Sequence, residues 1–495
     1  MTDLKLTDSI LIKKTKYYII PLIYLIVIIP SAYYFNIWID EVYSLNTTSH
    51  NLSYTIAQSL STESQPPLYF ILLFFWRQIN SSIFFSRLLS IIFIVITLLL
   101  IPGLSRRYVP KLNPLWFQLL VFLHPTTFWM GIEIRCYALV LLISALMLLL
   151  YYDAYLTGSH KIKLRILYVL LGIAGIFMQY YFSFFLFAGA FPFLLKKKWN
   201  TLKIYLIDMI LPLISIAVIL NVLLHQINTY ENLNVTHQNF LSELFAIYRL
   251  FETHILALRY INAEDTPIYK YIIRIIILSG LVILYYKKLP ILINKLKSDQ
   301  SMFIQVIVFF ILFYSVQLIY GGSFLFYKYS LVAFFVIWIF WLNIATLNNK
   351  KFILYLNIIV FLITIIATLN KPLVKENDYP AIASYIETHE STNQPILIYR
   401  NETAMTFGYC YNGINKIIPI PFKIDFTLPY DPSLWIIKSP EHIKSFFKKI
   451  DNENIKRYWL VTDGAFQYYG VSFNYEILED FIKQNFIVLE KKRIL

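Results

Sequence analysis

Apolar residues run along this chain in long blocks, at about 17–35, 84–104, 113–130, 134–154, 164–180, 182–195, 203–225, 268–286, 302–320, 324–346 and 352–370. Most are long enough to predict membrane-crossing helices, since about 20 apolar residues span a hydrocarbon core of roughly 30 Å. A further apolar run, Pro66-Pro67-Leu68-Tyr69-Phe70-Ile71-Leu72-Leu73-Phe74-Phe75-Trp76, is shorter than the roughly 17 residues a crossing needs. It predicts a helix lying along or dipping into one leaflet. The pattern changes after residue 371, where charges, Asn and Pro appear among short apolar runs. Asp378-Tyr379-Pro380 predicts a helix start, with proline in its first turn. Pro395–Tyr399, Lys416–Ile420 and Tyr458–Thr462 read as strands, and Pro440–Ile450 as an amphipathic helix. Strands alternating with helices predict a small α/β domain.

Polar positions between the blocks set a topology. Basic clusters recur at every second connection: Lys13, Lys14 and Lys16; Arg106, Arg107 and Lys111; Lys161, Lys163 and Arg165; Lys196–Lys198; Lys287 and Lys288; Lys350 and Lys351. Such clusters mark cytoplasmic loops. The alternation holds only with eleven crossings; counting 66–79 as a full twelfth span, the rival reading, would invert every later loop and put Arg106 and Arg107 outside. The expected fold is therefore an α-helical polytopic membrane protein with a C-terminal extracytoplasmic α/β domain. Residues 1–370 form the expected membrane domain, with outer loops at 36–83 and 226–267, and residues 371–495 the tail.

Composition agrees. The 495 residues are 58% hydrophobic, against about 45–50% apolar in ordinary soluble chains. The net charge of +14 lies in short loop clusters, so it marks topology and excludes a nucleic-acid-binding face. Two cysteines, Cys136 and Cys410, rule out a disulfide framework or a metal–thiolate site. The first apolar run has no small-residue cleavage site and reads as a retained anchor.

Candidate chemistry begins at Trp38-Ile39-Asp40-Glu41, two carboxylates where the first apolar block ends. Ionisable groups beside hydrocarbon are costly and tend to be functional. A carboxylate at such an interface can serve as a general base, because partial desolvation raises its pKa toward the working range. Other outward-facing candidates are Arg135 beside Glu133, suited either to bidentate phosphate binding or to an internal pair, and Lys328, suited to phosphate or to snorkelling. Arg87 reads as a phosphate ligand or as a pin for its own helix. Tyr69 and Tyr137 fall at outer helix ends, where a ring could stack on a sugar. His237 and His254 lack neighbouring ligands at metal spacing.

The ordered landmarks Asp40-Glu41, Gln65-Pro66-Pro67-Leu68-Tyr69, Arg87-Leu88-Leu89-Ser90 and Glu133-Ile134-Arg135-Cys136-Tyr137 resemble the GT-C superfamily of membrane glycosyltransferases. The likeness is nearest the branch holding protein O-mannosyltransferases (dolichyl-phosphate-mannose-dependent), lipid A aminoarabinose transferases and rhizobial galacturonosyltransferases. It covers residues 35 to 155 best. Gln65 stands where the family often has His, and Tyr327-Lys328-Tyr329 where many members carry Arg-Tyr. Lysine keeps the charge but loses arginine's two-pronged geometry. The resemblance implies an inverting glycosyltransferase in a membrane, expected to be the bacterial inner membrane with the N-terminus cytoplasmic. It would move a sugar from a polyprenyl-phosphate donor to a glycan, lipid or protein acceptor on the outer side. Asp40 would be the base. Glu41 would share that role, bind the acceptor or help hold a divalent cation (Mg or Mn). The rival expectations are a transporter or flippase for lipid-linked sugars, an O-antigen ligase or polymerase, and an inactive scaffold.

Overall fold

The computed structural model describes residues 15–231, 253–257, 301–320, 328–346, 352–369, 375, 377–425, 436–450, 455, 457–465, 467–468 and 471–492. The expected span at 268–286, His237 and most of the 226–267 loop lie outside the described residues. The described residues are mainly helical, with few and short strands. Among them three helices, Ile83–Tyr108, Tyr137–Leu156 and Trp199–Gln226, are long and apolar enough to cross a membrane. The count is five if the pairs Ile19–Tyr34 with Ile39–Thr47 and Pro114–Leu123 with Pro125–Ile132 are each one bent span. Leu68–Arg77, the Pro-Pro run, is ten residues long. At a rise of 1.5 Å per residue it covers about half of a bilayer core.

Contacts divide the chain into two compact units. One comprises Met1–Tyr33, Asn80–Asn221 and Gln238–Pro372; the other comprises Tyr34–Ile79, Val222–His237 and Leu373–Leu495.

In the first unit the helix ends follow local rules. Ser82 caps Ile83–Tyr108 by accepting from the Phe85 N–H at 3.2 Å, and Arg106 and Arg107 close the helix, where cations suit its dipole. The expected span at 113–130 is broken at His124-Pro125 into two helices bent by 57°. Proline cannot donate to the ladder and pushes the preceding residue out of the helical region. The His124 Nδ1 accepts from the Thr126 N–H at 3.1 Å and so caps the second half. Two arginines near helix ends also tie elements together. Arg107 grips Asp153 with two hydrogen bonds (2.8 and 2.6 Å), and Arg165 grips Asp208 likewise (2.8 and 2.7 Å). The Tyr155 hydroxyl donates to the same Asp208 at 2.7 Å.

The second unit holds a three-stranded parallel sheet of β1 (Ile396–Tyr399), β2 (Ile417–Ile420) and β3 (Trp459–Val461), in the order β2-β1-β3. The expected tail elements are present. Asp378 caps the Tyr379–His389 helix by accepting from the Ala381 N–H, and Pro380 sits in its first turn. The central strand β1 is buried throughout, as a strand covered on both faces must be. Its alternate residues divide between two cores. Leu397 and Tyr399 pack with Ile443, Phe446, Phe447 and Leu478 from helices Pro440–Ile450 and Tyr475–Asn485. Ile396 and Ile398 pack with Tyr379, Ala383, Ile386 and Phe407 from helices Tyr379–His389 and Thr403–Gly408.

Candidate functional site

The candidates fall into two groups, one in each unit. In the second unit the acidic pair opens the helix Ile39–Thr47, with Asp40 and Glu41 in its first turn. Carboxylates belong there, since the first N–H groups and the helix dipole favour negative charge. The two neighbours differ sharply in environment. Glu41 is fully buried, whereas Asp40 is half-buried. The Glu41 Oε2 lies 2.6 Å from the Lys375 Nζ, and both side chains are almost wholly removed from solvent. The same Oε2 accepts from the Trp38 N–H at 3.4 Å, which makes Glu41 the returning half of a capping box. Asn36 reinforces the join. Its Oδ1 accepts from the Lys375 N–H at 2.7 Å, and its Nδ2 donates to the Asn377 carbonyl at 2.9 Å.

The acidic helix packs against Leu52–Ser61 and against Thr403–Gly408, the helix that follows β1. At its far end the Arg77 Nη1 donates to the Leu45 carbonyl (2.7 Å) and to the Thr48 hydroxyl (2.5 Å). Tyr69, a sugar-stacking candidate, is buried in its own unit and contributes to packing. At the carboxyl end of β1, Arg400 adopts a left-handed backbone (φ 55°) and pairs with Asp463 at 3.1 Å and Glu402 at 3.8 Å. Burial pushes the Asp463 carboxyl above the usual range, with Arg400 opposing it.

In the first unit the structure brings Glu133, Tyr137 and Lys328 together. The Lys328 ammonium is 3.3 Å from the Glu133 carboxylate, with both side chains less than a tenth exposed. It also lies over the Tyr137 ring, 5.0 Å from the centroid, within cation–π range. The Glu133 carbonyl accepts from the Ser90 hydroxyl at 2.7 Å, fixing the turn between Pro125–Ile132 and Tyr137–Tyr151. Arg135 lies two residues further on and is buried. Arg87 is also buried, and its Nη1 donates to the Ala32 carbonyl at 2.7 Å. That bond ties the Ile83–Tyr108 helix to the end of the first apolar helix.

His254 packs as a core residue. Its Nε2 lies 2.6 Å from the Ser330 Oγ, and its carbonyl accepts from the His124 Nε2 at 2.9 Å. A carbonyl can only accept, and the His124 Nδ1 takes the Thr126 N–H, so His124 is the neutral Nε2–H tautomer.

The described residues hold no group of three or more His, Cys, Asp or Glu side chains able to grip a metal. Asp40 and Glu41 alone make a poor cation site, because the Lys375 ammonium already neutralises one of the two carboxylates.

Reading the sequence missed Lys375, Asn36 and Asn377. Lysines near apolar blocks carry topology information, and nothing local marks Lys375 as the partner of an acid 334 positions away. No family model matches this chain, and no curated protein matches it at a significant level.

Proposed function

We propose that this chain is an integral-membrane glycosyltransferase that moves a sugar from a polyprenyl-phosphate donor to an acceptor on the outer side of the membrane. The long apolar helices support membrane association, and the lipid carrier explains why the catalyst would be embedded there. One observation carries the reading: two adjacent carboxylates on one helical turn, with Glu41 buried in an ion pair and Asp40 half-buried beside it. A lone structural acid needs no such division. In the proposed reaction Asp40 takes the proton from the acceptor hydroxyl or amine as that atom bonds to the sugar's anomeric carbon. The bond from that carbon to the phosphate oxygen breaks on the opposite face, and the phosphate leaves on its lipid with the electron pair.

The test is sugar transfer in reconstituted vesicles, offered a panel of polyprenyl-phosphate sugars, by wild type, Asp40→Asn and Asp40→Glu. Loss of a general base costs about 10²–10⁴-fold in rate. Asp40→Asn is expected to fall in that range, and Asp40→Glu to retain part of the activity. Normal transfer by Asp40→Asn overturns the assignment. A wild type that transfers nothing, yet carries lipid-linked sugars across the bilayer, turns the reading to a flippase.

A further inference from the structure

We infer that the carboxyl ends of β1 and β3 form a carbohydrate-binding site, where the Asp463 carboxylate and the buried Tyr399 hydroxyl take sugar hydroxyls beside the Tyr475 ring. The site belongs to the sheet of the second unit and needs no sugar transfer by Asp40. Topology comes first. The chain leaves β1 for the helix Thr403–Gly408, whose Phe407 packs on the Ile396 and Ile398 face. After β3 it reaches the helix Tyr475–Asn485, whose Leu478 packs on the opposite face with Leu397 and Tyr399. These neighbouring parallel strands therefore send their chains to opposite sides of the sheet. Open parallel sheets bind ligands at such a switch point, in the crevice beyond the strand ends.

The residues there carry the chemistry. Tyr399, the last residue of β1, is 2% exposed, and its hydroxyl has no hydrogen-bond partner. An unpaired buried hydroxyl is costly, so the position calls for a bonding partner. Burial pushes this hydroxyl up and the Asp463 charge pushes it further, which sets the two groups within electrostatic reach. The Asp463 side chain, at the end of β3, is 28% exposed and open to a ligand, while its partner Arg400 is 4% exposed. Asn401, also buried, donates through Nδ2 to the Phe422 carbonyl at 3.1 Å, and its Oδ1 is a second atom without a partner. The partly exposed Tyr475 ring lies 5.1 Å from the Tyr399 ring. Its rotation opens the Tyr399 hydroxyl, and rotamer changes of this kind are common on binding.

The same set argues against other ligand classes. Arg400 meets two carboxylates, Asp463 and Glu402, so an anion would approach two negative charges around one guanidinium. Tyr399-Arg400-Asn401-Glu402-Thr403 has no glycine to let a pyrophosphate reach the backbone. The described residues hold no group of three His, Cys, Asp or Glu side chains that could grip a metal. A sugar fits. Its hydroxyls donate to Asp463 and the Asn401 Oδ1 and pair with Tyr399, while its apolar C–H face lies on an aromatic ring.

The experiment is saturation-transfer NMR on the full-length protein in lipid nanodiscs. The probes are the methyl glycosides of glucose, galactose, mannose and N-acetylglucosamine, each titrated alone and against inorganic phosphate. At least one glycoside is expected to bind saturably and to resist displacement by phosphate. Tyr399→Phe is expected to weaken that binding about two- to tenfold. It should melt no lower than wild type, because it removes a buried hydroxyl that has no partner to lose. Asp463→Ala is expected to weaken binding about tenfold or more, since bonds to charged groups are the stronger ones. No saturable glycoside, displacement by phosphate, or unchanged binding in Tyr399→Phe overturns the proposal. So does a Tyr399→Phe variant that melts well below wild type, because the hydroxyl would then be bonded within the protein. Binding needs no lipid-linked donor, so a wild type inactive on every donor sinks the transferase reading and leaves this result standing.

Discussion

Replacing Gly131 with alanine tests the packing of the first apolar helix against the broken one. Gly131 is buried on Pro125–Ile132, and Tyr24 of Ile19–Tyr34 fills the space beside it. A Cβ at Gly131 would fall on the Tyr24 hydroxyl, with the ring carbon Cζ at 3.2 Å and the Ile28 Cγ1 at 3.4 Å. The ring has little room to retreat. It meets Phe122 edge-to-face at 6.3 Å, and its hydroxyl donates to the Thr127 carbonyl at 3.4 Å. Overpacking of this kind costs about 1–3 kcal/mol. The intrinsic helix preference of Ala over Gly returns at most about 1 kcal/mol, so overpacking wins. In a chain of this size each kcal/mol shifts the apparent Tm by about 2–4 °C or less. Gly131→Ala is therefore expected to melt a few degrees below wild type when intrinsic fluorescence is followed in nanodiscs.

Tyr24→Phe removes the clashing oxygen and leaves only the 3.2 Å contact with Cζ, which a shift of a few tenths of an ångström relieves. Alone it forfeits one long hydrogen bond, worth about 1 kcal/mol or less. The double variant should then be more stable than the sum of the two single changes by about 1 kcal/mol or more, because the clash exists only when both groups are present. A Gly131→Ala variant as stable as wild type, or strictly additive effects, would refute the packing described.

Three other outcomes follow from the geometry. Lys328→Met takes a counter-charge away from the buried Glu133 carboxylate and should cost up to about 3–5 kcal/mol, whereas Lys328→Met with Glu133→Gln should recover much of it; equal melting of the two would count against the pair. In the tail, burial alone would raise the Glu390 carboxyl, but donors from the Tyr411 hydroxyl, the Asn415 amide and the Ile414 N–H outweigh it and hold the group below its ordinary range. A carboxylate depressed in the folded state stabilises above its unfolded pKa of about 4.3 and loses that contribution as pH falls through the folded value. Glu390→Gln should accordingly melt below wild type at neutral pH, with the difference closing under acid in a pH series of thermal melts. Leu478→Ala, at a fully buried site in the core shared with Leu397 and Tyr399 of β1, should cost about 2–5 kcal/mol, and limited proteolysis should cut the tail first.

Features under the control of local physics were legible along the chain. Apolar blocks became helices because about five turns of side chains must leave water together. Asp378 with Pro380 started a helix, β1 read as a buried strand, and Pro440–Ile450 formed an amphipathic helix, because caps, proline geometry and periodicity act within a few residues. Even the break at His124-Pro125 has a local cause, although an apolar block concealed it. Tertiary structure alone decided how the charges pair. The Glu133 carboxylate meets Lys328, 195 positions away. Asp40 and Glu41 read alike as neighbouring carboxylates, and the fold buries Glu41 against Lys375 from the start of the tail while Asp40 stays half-buried. The reason is energetic. A charge leaves water only where the fold delivers a counter-charge, and no spacing rule along the chain encodes which distant residue that is.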